Sequence, residues 1–201
     1  MPAFLFSQYK GIKIMKKIIS VLLICLVASA AVFAGIFEFN IGAVAMYNKP
    51  YTELQNYEEI KTNDFSFGAG LDVKIALFGA DATALYSKVE DEHVLNGVIS
   101  LNLPLTIGPV RVALGIGYDY IYNLTTKEYS FGGQTDIQNF LDAYLLARAE
   151  VDAILGKLHI GVFGTCPTGL TLRTYEGAKD LDWQSLINSI SVGASIKFNF
   201  V

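Results

Sequence analysis

Cysteine is almost absent from the 201-residue chain, which has only Cys25 and Cys166. Cys25 lies in an N-terminal apolar run that reads as removable, so the remaining chain keeps a single thiol and no internal disulfide is expected. Histidine is as scarce: His93 stands beside Glu92, and His159 lies far along the chain. Such a set shows no metal cluster of the usual ligand count, so neither a metal nor a cofactor is expected. Charge is sparse too, at 17% against 52% hydrophobic residues, so part of the surface must face something other than water. Basic residues are fewer than acids, 15 against 19. Removing residues 1–34 takes away Lys10, Lys13, Lys16 and Lys17, leaving 11 bases against 19 acids and a net charge of −8. That sign argues against nucleic acid as a partner.

The apolar residues are arranged in two ways. Met15-Lys16-Lys17 precedes a charge-free run from Ile18 to Phe33 that ends in Val32-Phe33-Ala34. A basic segment, an apolar segment and a small residue at the end read as an export signal cleaved between Ala34 and Gly35. The competing reading is an uncleaved anchor helix, since the run approaches the ~20 residues a span needs. The cleavage site and the strand character directly after it favour removal. Met1 to Ile14 fits neither signal nor strand, so Met15 is the expected start. A lipoprotein reading of Leu22-Leu23-Ile24-Cys25 is disfavoured because Ile24 is not small. The expected organisation is residues 1–34 as upstream extension plus signal, and 35–201 as one domain.

From Gly35 onward no segment keeps helical spacing, and apolar residues recur every second position, the period of a strand. Phe37, Phe39, Ile41, Ala43, Ala45 and Tyr47 share one face against Glu38, Asn40 and Gly42. A second run sets Phe65 to Leu77 against Ser66, Gly68, Gly70, Asp72 and Lys74, and a third sets Ala82, Ala84 and Tyr86 against Asp81, Thr83 and Ser87. Ile99 to Leu105 alternate with Ser100, Asn102 and Thr106. Val110 to Tyr122 alternate with Arg111, Ala113, Gly115, Gly117 and Asp119. Ala143, Leu145, Ala147, Ala149 and Val151 oppose Asp142, Tyr144, Arg148, Glu150 and Asp152. Leu158, Ile160 and Val162 oppose His159, Gly161 and Thr165, and Ile190 to Phe200 oppose Ser191, Gly193, Ser195, Lys197 and Asn199. The pattern predicts eight strands.

Their connections alternate in length. Tight turns are expected around Phe78-Gly79, Gly108-Pro109 and Leu155-Gly156-Lys157, and long polar loops over 48–64, 88–95, 123–139 and 167–188. Short turns on one rim, long loops on the other and alternating strands between them are the pattern of an eight-stranded antiparallel up-and-down transmembrane β-barrel. A soluble barrel with an apolar interior also alternates. Side-chain volume separates the two: the polar face is rich in Gly, Ala and Ser, which suit a crowded lumen, whereas the other face is Leu, Ile, Val, Phe and Ala, which suits lipid.

With that orientation, Glu38, Asp72, Lys74, Asp81, Arg111, Arg148, Glu150, Asp152, His159 and Lys197 point inward. Charges there are costly unless paired, so an ionic plug is expected, Glu38 near Lys74 and Lys197, Arg111 near Glu150 and Asp152, with Asp72 and Arg148 a layer above. Phe37, Tyr47, Phe65, Phe67, Tyr86, Tyr118, Tyr120, Tyr122, Phe198 and Phe200 gather at strand ends as an aromatic girdle. Over residues 35–201 the pattern resembles the small OmpA/OmpX/OmpW-type outer-membrane barrels. Ile196-Lys197-Phe198-Asn199-Phe200-Val201 resembles the Phe-ending strand by which that family is recognised for insertion, departing from it by the Val after the last Phe. The resemblance implies outer-membrane lipid and the barrel-insertion machinery as partners, termini in the periplasm and loops at the cell surface, and it carries over no catalytic residue.

Two chemical alternatives arise. A rim Ser/His pair, Ser87 with His93, would serve a lipid-modifying enzyme, yet no oxyanion-hole pattern accompanies it. Gly68-Ala69-Gly70 and Gly115-Ile116-Gly117 look like phosphate loops but lie inside strands. The expectation is therefore a non-enzymatic barrel with a structural or surface-interaction role through loops that meet a surface ligand or host. The alternative is a porin-like small channel or conduit for small solutes. N-terminal sequencing of the exported protein should read Gly35-Ile36-Phe37; a product that retains Cys25 would mean an anchor.

Overall fold

The computed structural model describes residues 37–55, 58, 60–89, 91–135, 140–173 and 183–201. The expected signal and upstream segment, 1–34, lie outside the described residues. The strands are β1 (Phe37–Tyr47), β2 (Phe65–Ile75), β3 (Phe78–Val89), β4 (Glu92–Ile107), β5 (Val110–Asn123), β6 (Tyr129–Phe131), β7 (Tyr144–Leu155), β8 (Leu158–Thr171) and β9 (Ser191–Asn199). One six-residue helix, α1 (Trp183–Asn188), precedes β9. Every pairing is antiparallel. The order β4-β3-β2-β1-β9-β8-β7-β5 closes through β4 against β5 into an eight-stranded up-and-down barrel. β6 pairs only with β5, outside the closed cylinder.

Closure follows from the period-2 pattern, because each strand offers one face to a shared lumen and the other to the outside, and a closed sheet has no edge to leave unpaired. The lumen is narrow enough that glycine is required where backbones crowd. A Cβ on Gly117 would stand 2.0 Å from the Ile99 carbonyl oxygen and 2.6 Å from Ser100 Cα. Phe37 and Asn199 lie at the same rim as the short turns, tied by the Phe200 amide donating to the Phe39 carbonyl at 2.9 Å.

Several boundaries differ from the sequence reading. The first tight turn is Ala76-Leu77, two residues before Phe78-Gly79, which are paired with Ile75 and Lys74. Residues 88–95 form no long loop, since Lys88 pairs with His93 and Val89 with Glu92 and the hairpin runs almost to its tip. The 123–139 segment contains β6, and β8 continues through Thr171. At the start of β7 a register irregularity between Tyr144 and Leu146 exchanges the faces. Ala143, expected outside, is fully buried, and Tyr144, expected inside, is exposed. At the loop rim, Lys49 lies 3.0 Å from Asp64. The Lys61 amide, first, and the Lys49 ammonium hold the Asp64 carboxyl below its ordinary value. This clasp on the β1–β2 connection is present above the usual carboxylate range and is lost as acid protonates Asp64.

Each short turn places a positive φ at its first residue: Ala76 at 56°, Gly108 at 58° and Gly156 at 66°. Glycine accepts this and alanine does not, at about 1–2 kcal/mol. Ala76→Gly should therefore raise the unfolding free energy by about 1 kcal/mol, and Gly156→Ala, which meets no neighbouring atom, should lower it by a similar amount. Urea titration of the refolded barrel measures both. Unchanged stability in each would contradict the turn geometry.

Candidate functional site: the lumen

The inward residues form three levels from the short-turn rim to the loop rim. The lowest is ionic. Glu38, Asp72, Lys74, Asp81, Arg111, Arg148, Glu150, Asp152, His159 and Lys197 are all buried and all point inward. Lys74 Nζ donates to Glu38 Oε1 at 2.7 Å between the adjacent strands β2 and β1. Arg111 Nε donates to Asp152 Oδ2 at 2.7 Å on neighbouring β7. The same guanidinium crosses the lumen to Asp72 on β2 at 3.1 Å and stands 3.7 Å from Glu38 on β1. Arg148 from β7 reaches Asp81 on β3 at 3.3 Å, Thr83 Oγ1 at 3.1 Å and Glu150 at 3.0 Å. Lys197 from β9 donates to Asp72 at 2.7 Å and also bonds Glu150. Ser100 and Asn102 complete Asp81 as donors at 2.5 and 2.8 Å.

The pairs differ in part from those that strand adjacency suggested. Lys197 pairs with Asp72 and Glu150 rather than with Glu38, and Arg111 takes Asp72 and Glu38 beside Asp152 rather than Glu150. Long side chains in a narrow cylinder span it, so their partners lie on strands two to four places round the wall. The level holds five carboxylates, Glu38, Asp72, Asp81, Glu150 and Asp152, against four permanent cations, Lys74, Arg111, Arg148 and Lys197. His159 is the remaining ionisable group there, and its Nδ1, like the Asn40 side-chain amide, has no hydrogen-bond partner among the described residues. The space left among Asp72, Lys74, Asn102, Arg111 and Glu150 is about 10 Å³, at the edge of what one water needs.

Above this level stand Val44, Met46, Leu85 and Phe163, packed as one apolar cluster. Val98 and Leu146 are buried near it. Arg148 joins the two levels, its guanidinium 4.3 Å from the centre of the Phe163 ring. This apolar level was not anticipated. Val44 and Met46 simply continue the inward face beyond Gly42, and Leu85 continues it beyond Thr83, so alternation alone would have found them had the inward face not been read as polar. The third level is an open cavity of about 310 Å³ at the loop rim, lined by Asn48, Asn96, Asp119, Thr165 and Ser191 over Met46, Val98 and Leu146.

On the outside, Phe37, Tyr86, Tyr120, Phe198 and Phe200 are exposed, and Phe65 and Tyr122 partly so. Tyr47 is not an exposed girdle residue. It is 3% exposed, against Phe65 at 5.4 Å, in a recess that Leu54 of the β1–β2 connection also lines. Ser87 and His93 do not meet as a pair. Ser87 is buried on the inward face, whereas His93 is exposed and its Nδ1 contacts the Tyr86 hydroxyl at 2.5 Å on the outer face. Compared with protein-family models and with curated proteins, the chain finds no match.

Removing one partner from a buried ionic network leaves the others uncompensated, at about 3–5 kcal/mol. Arg111→Ala exposes Asp152 and Asp72 to that penalty and should lower unfolding free energy by about that amount in urea titration. A loss below about 1 kcal/mol would mean that the network carries no stabilising charge pairing at Arg111.

Proposed function

We propose that this chain is an outer-membrane β-barrel of the OmpA/OmpX/OmpW type with a structural and surface-contact role, its loops outward and its termini periplasmic. The observation that carries the reading is the closed lumen. An ionic level, with about 10 Å³ left among Asp72, Lys74, Asn102, Arg111 and Glu150, lies beneath an apolar cluster, and paired charges below packed side chains support a lumen closed to solutes. Membrane residence is supported by the outer face. Ile99, Leu101, Leu103, Leu114 and Val162 are each at least 60% exposed and belong to a continuous apolar band, which water would not tolerate on a barrel this size. The short-turn rim carries Phe198 and Phe200 at 5.3 Å, and the opposite rim carries Tyr120 and Tyr129 at 6.5 Å, aromatics at the two heights where interfacial belts form. The C-terminal strand, ending Phe198-Asn199-Phe200-Val201, suits recognition by insertion machinery.

The small-channel alternative requires a continuous polar path, and the level of Val44, Met46, Leu85 and Phe163 interrupts one. In planar bilayers the refolded protein should show no steady conductance, and an epitope inserted at Lys61 should be reached by antibody on intact cells. Large steady single-channel currents would move the assignment to a conduit. An epitope reached only after permeabilisation would reverse the orientation.

A further inference from the structure

The cavity at the loop rim opens within the lumen above the apolar cluster, and closure beneath it makes it a pocket instead of an entrance. Its volume, about 310 Å³, lies at the lower end of the roughly 300–1,000 Å³ range of small-molecule sites. The floor is apolar: Met46, Val98 and Leu146 are each at most 6% exposed. The wall is in part polar, and although Asn48 Oδ1 accepts from Ser66 and Ser189 Oγ donates to the Leu186 carbonyl, other polar atoms in it are unspent. Ser87 and Thr165 are 6% and 4% exposed, and neither hydroxyl has a hydrogen-bond partner among the described residues. Asn96 Oδ1 and Asn48 Nδ2, also in the wall, are buried polar atoms with none either.

Asp119 is the one charged side chain among the described residues that line this pocket. It alternates with the outward Tyr118 and Tyr120, so it faces inward, and no cation pairs with it among the described residues. The four cations of the ionic level are committed to other carboxylates below the apolar cluster. A lone carboxylate facing a recess with an apolar floor excludes anions and stabilises a cation that loses part of its water there. The acceptors left unmatched around it, Asn96 Oδ1 and the Ser87 and Thr165 hydroxyl oxygens, favour a ligand bearing its own hydrogen-bond donors.

We propose that this pocket binds a small organic ammonium compound, its apolar body on Met46, Val98 and Leu146 and its charged head on Asp119 with the neighbouring hydroxyl and amide groups. The carboxylate supplies the preference for the charged head, and the apolar floor excludes hydrated inorganic cations. The site goes beyond a structural role for the barrel and is independent of which compartment the loops face.

The test uses the refolded protein with methyl-labelled Met, Val and Leu, followed by NMR at pH 7 as isoamylammonium chloride or, separately, isoamyl alcohol is added. Expected are saturating shifts of the Met46, Val98 and Leu146 methyls, with a midpoint at least ten-fold lower for the ammonium compound than for the alcohol. Leu103, on the outer face, reports partition into detergent and should drift without saturating. Asp119→Asn should raise the ammonium midpoint at least ten-fold, and Asp91→Asn, at the exposed tip of the β3–β4 hairpin, should leave it unchanged. Pocket methyls that stay in place, equal midpoints for amine and alcohol, or an ammonium midpoint indifferent to Asp119→Asn would each overturn the proposal. Should Asp119→Asn fail to fold, the wild-type contrast between amine and alcohol decides alone.

Discussion

Charge pairing across the barrel axis is the constraint on which the rest of the structure depends. Five carboxylates and four cations are withdrawn from water in a cylinder only eight strands round, and isolated ions in such a place would cost several kcal/mol each. The cost is met by geometry: Arg111 touches acids from three strands, and Lys197 and Arg148 each span the lumen to strands they do not adjoin. Each such contact fixes the relative height of two distant strands. The ionic level therefore acts on register and closure as well as on the lumen, complementing the ladder bonds that fix only neighbours.

The levels above follow from that foundation. Once the lower lumen is filled by charge, the next inward residues have neither water nor unpaired ions to meet, and Val44, Met46, Leu85 and Phe163 pack there as an ordinary core. Phe163 serves both levels, apolar toward Leu85 and an acceptor face toward Arg148. Above this core the lumen opens again, and some polar atoms there, Asn96 Oδ1 and Asn48 Nδ2 among them, are left without internal partners. Stability, closure and the proposed binding surface thus occupy successive heights of one cylinder. The proposed role at the rim rests on this order of levels.

Much of this was legible in the sequence because a barrel repeats one rule, alternation with period 2, along every strand. The inward set from Glu38 to Lys197 follows from parity alone. What was misread has local causes. Gly79 looked like a turn residue, yet it is an inward glycine whose Cβ would meet Asn102 Oδ1 at 2.1 Å, and the turn itself uses Ala76, a residue without a turn preference. Lys88, Glu92 and His93 looked like loop residues because they are polar, although they pair as a hairpin extending past the apolar band. Tyr144 changed faces through an irregularity that parity cannot register. Partner identity in the lumen was legible only for neighbours such as Lys74 and Glu38, since which side chains meet across the axis depends on strand tilt and side-chain reach.

A double-mutant cycle on a pair that joins non-adjacent strands tests the cross-lumen network most directly. Lys197 on β9 and Asp72 on β2 are 2.7 Å apart, with β1 between their strands. Unfolding free energies of Lys197→Met, Asp72→Leu and the double variant give their coupling. The account predicts that the double variant is more stable than the sum of the single losses implies by at least about 1.5 kcal/mol, within the range for groups in one network. Additivity within about 0.5 kcal/mol would show that the two charges do not depend on each other, and would contradict a lumen held closed by pairing across its axis.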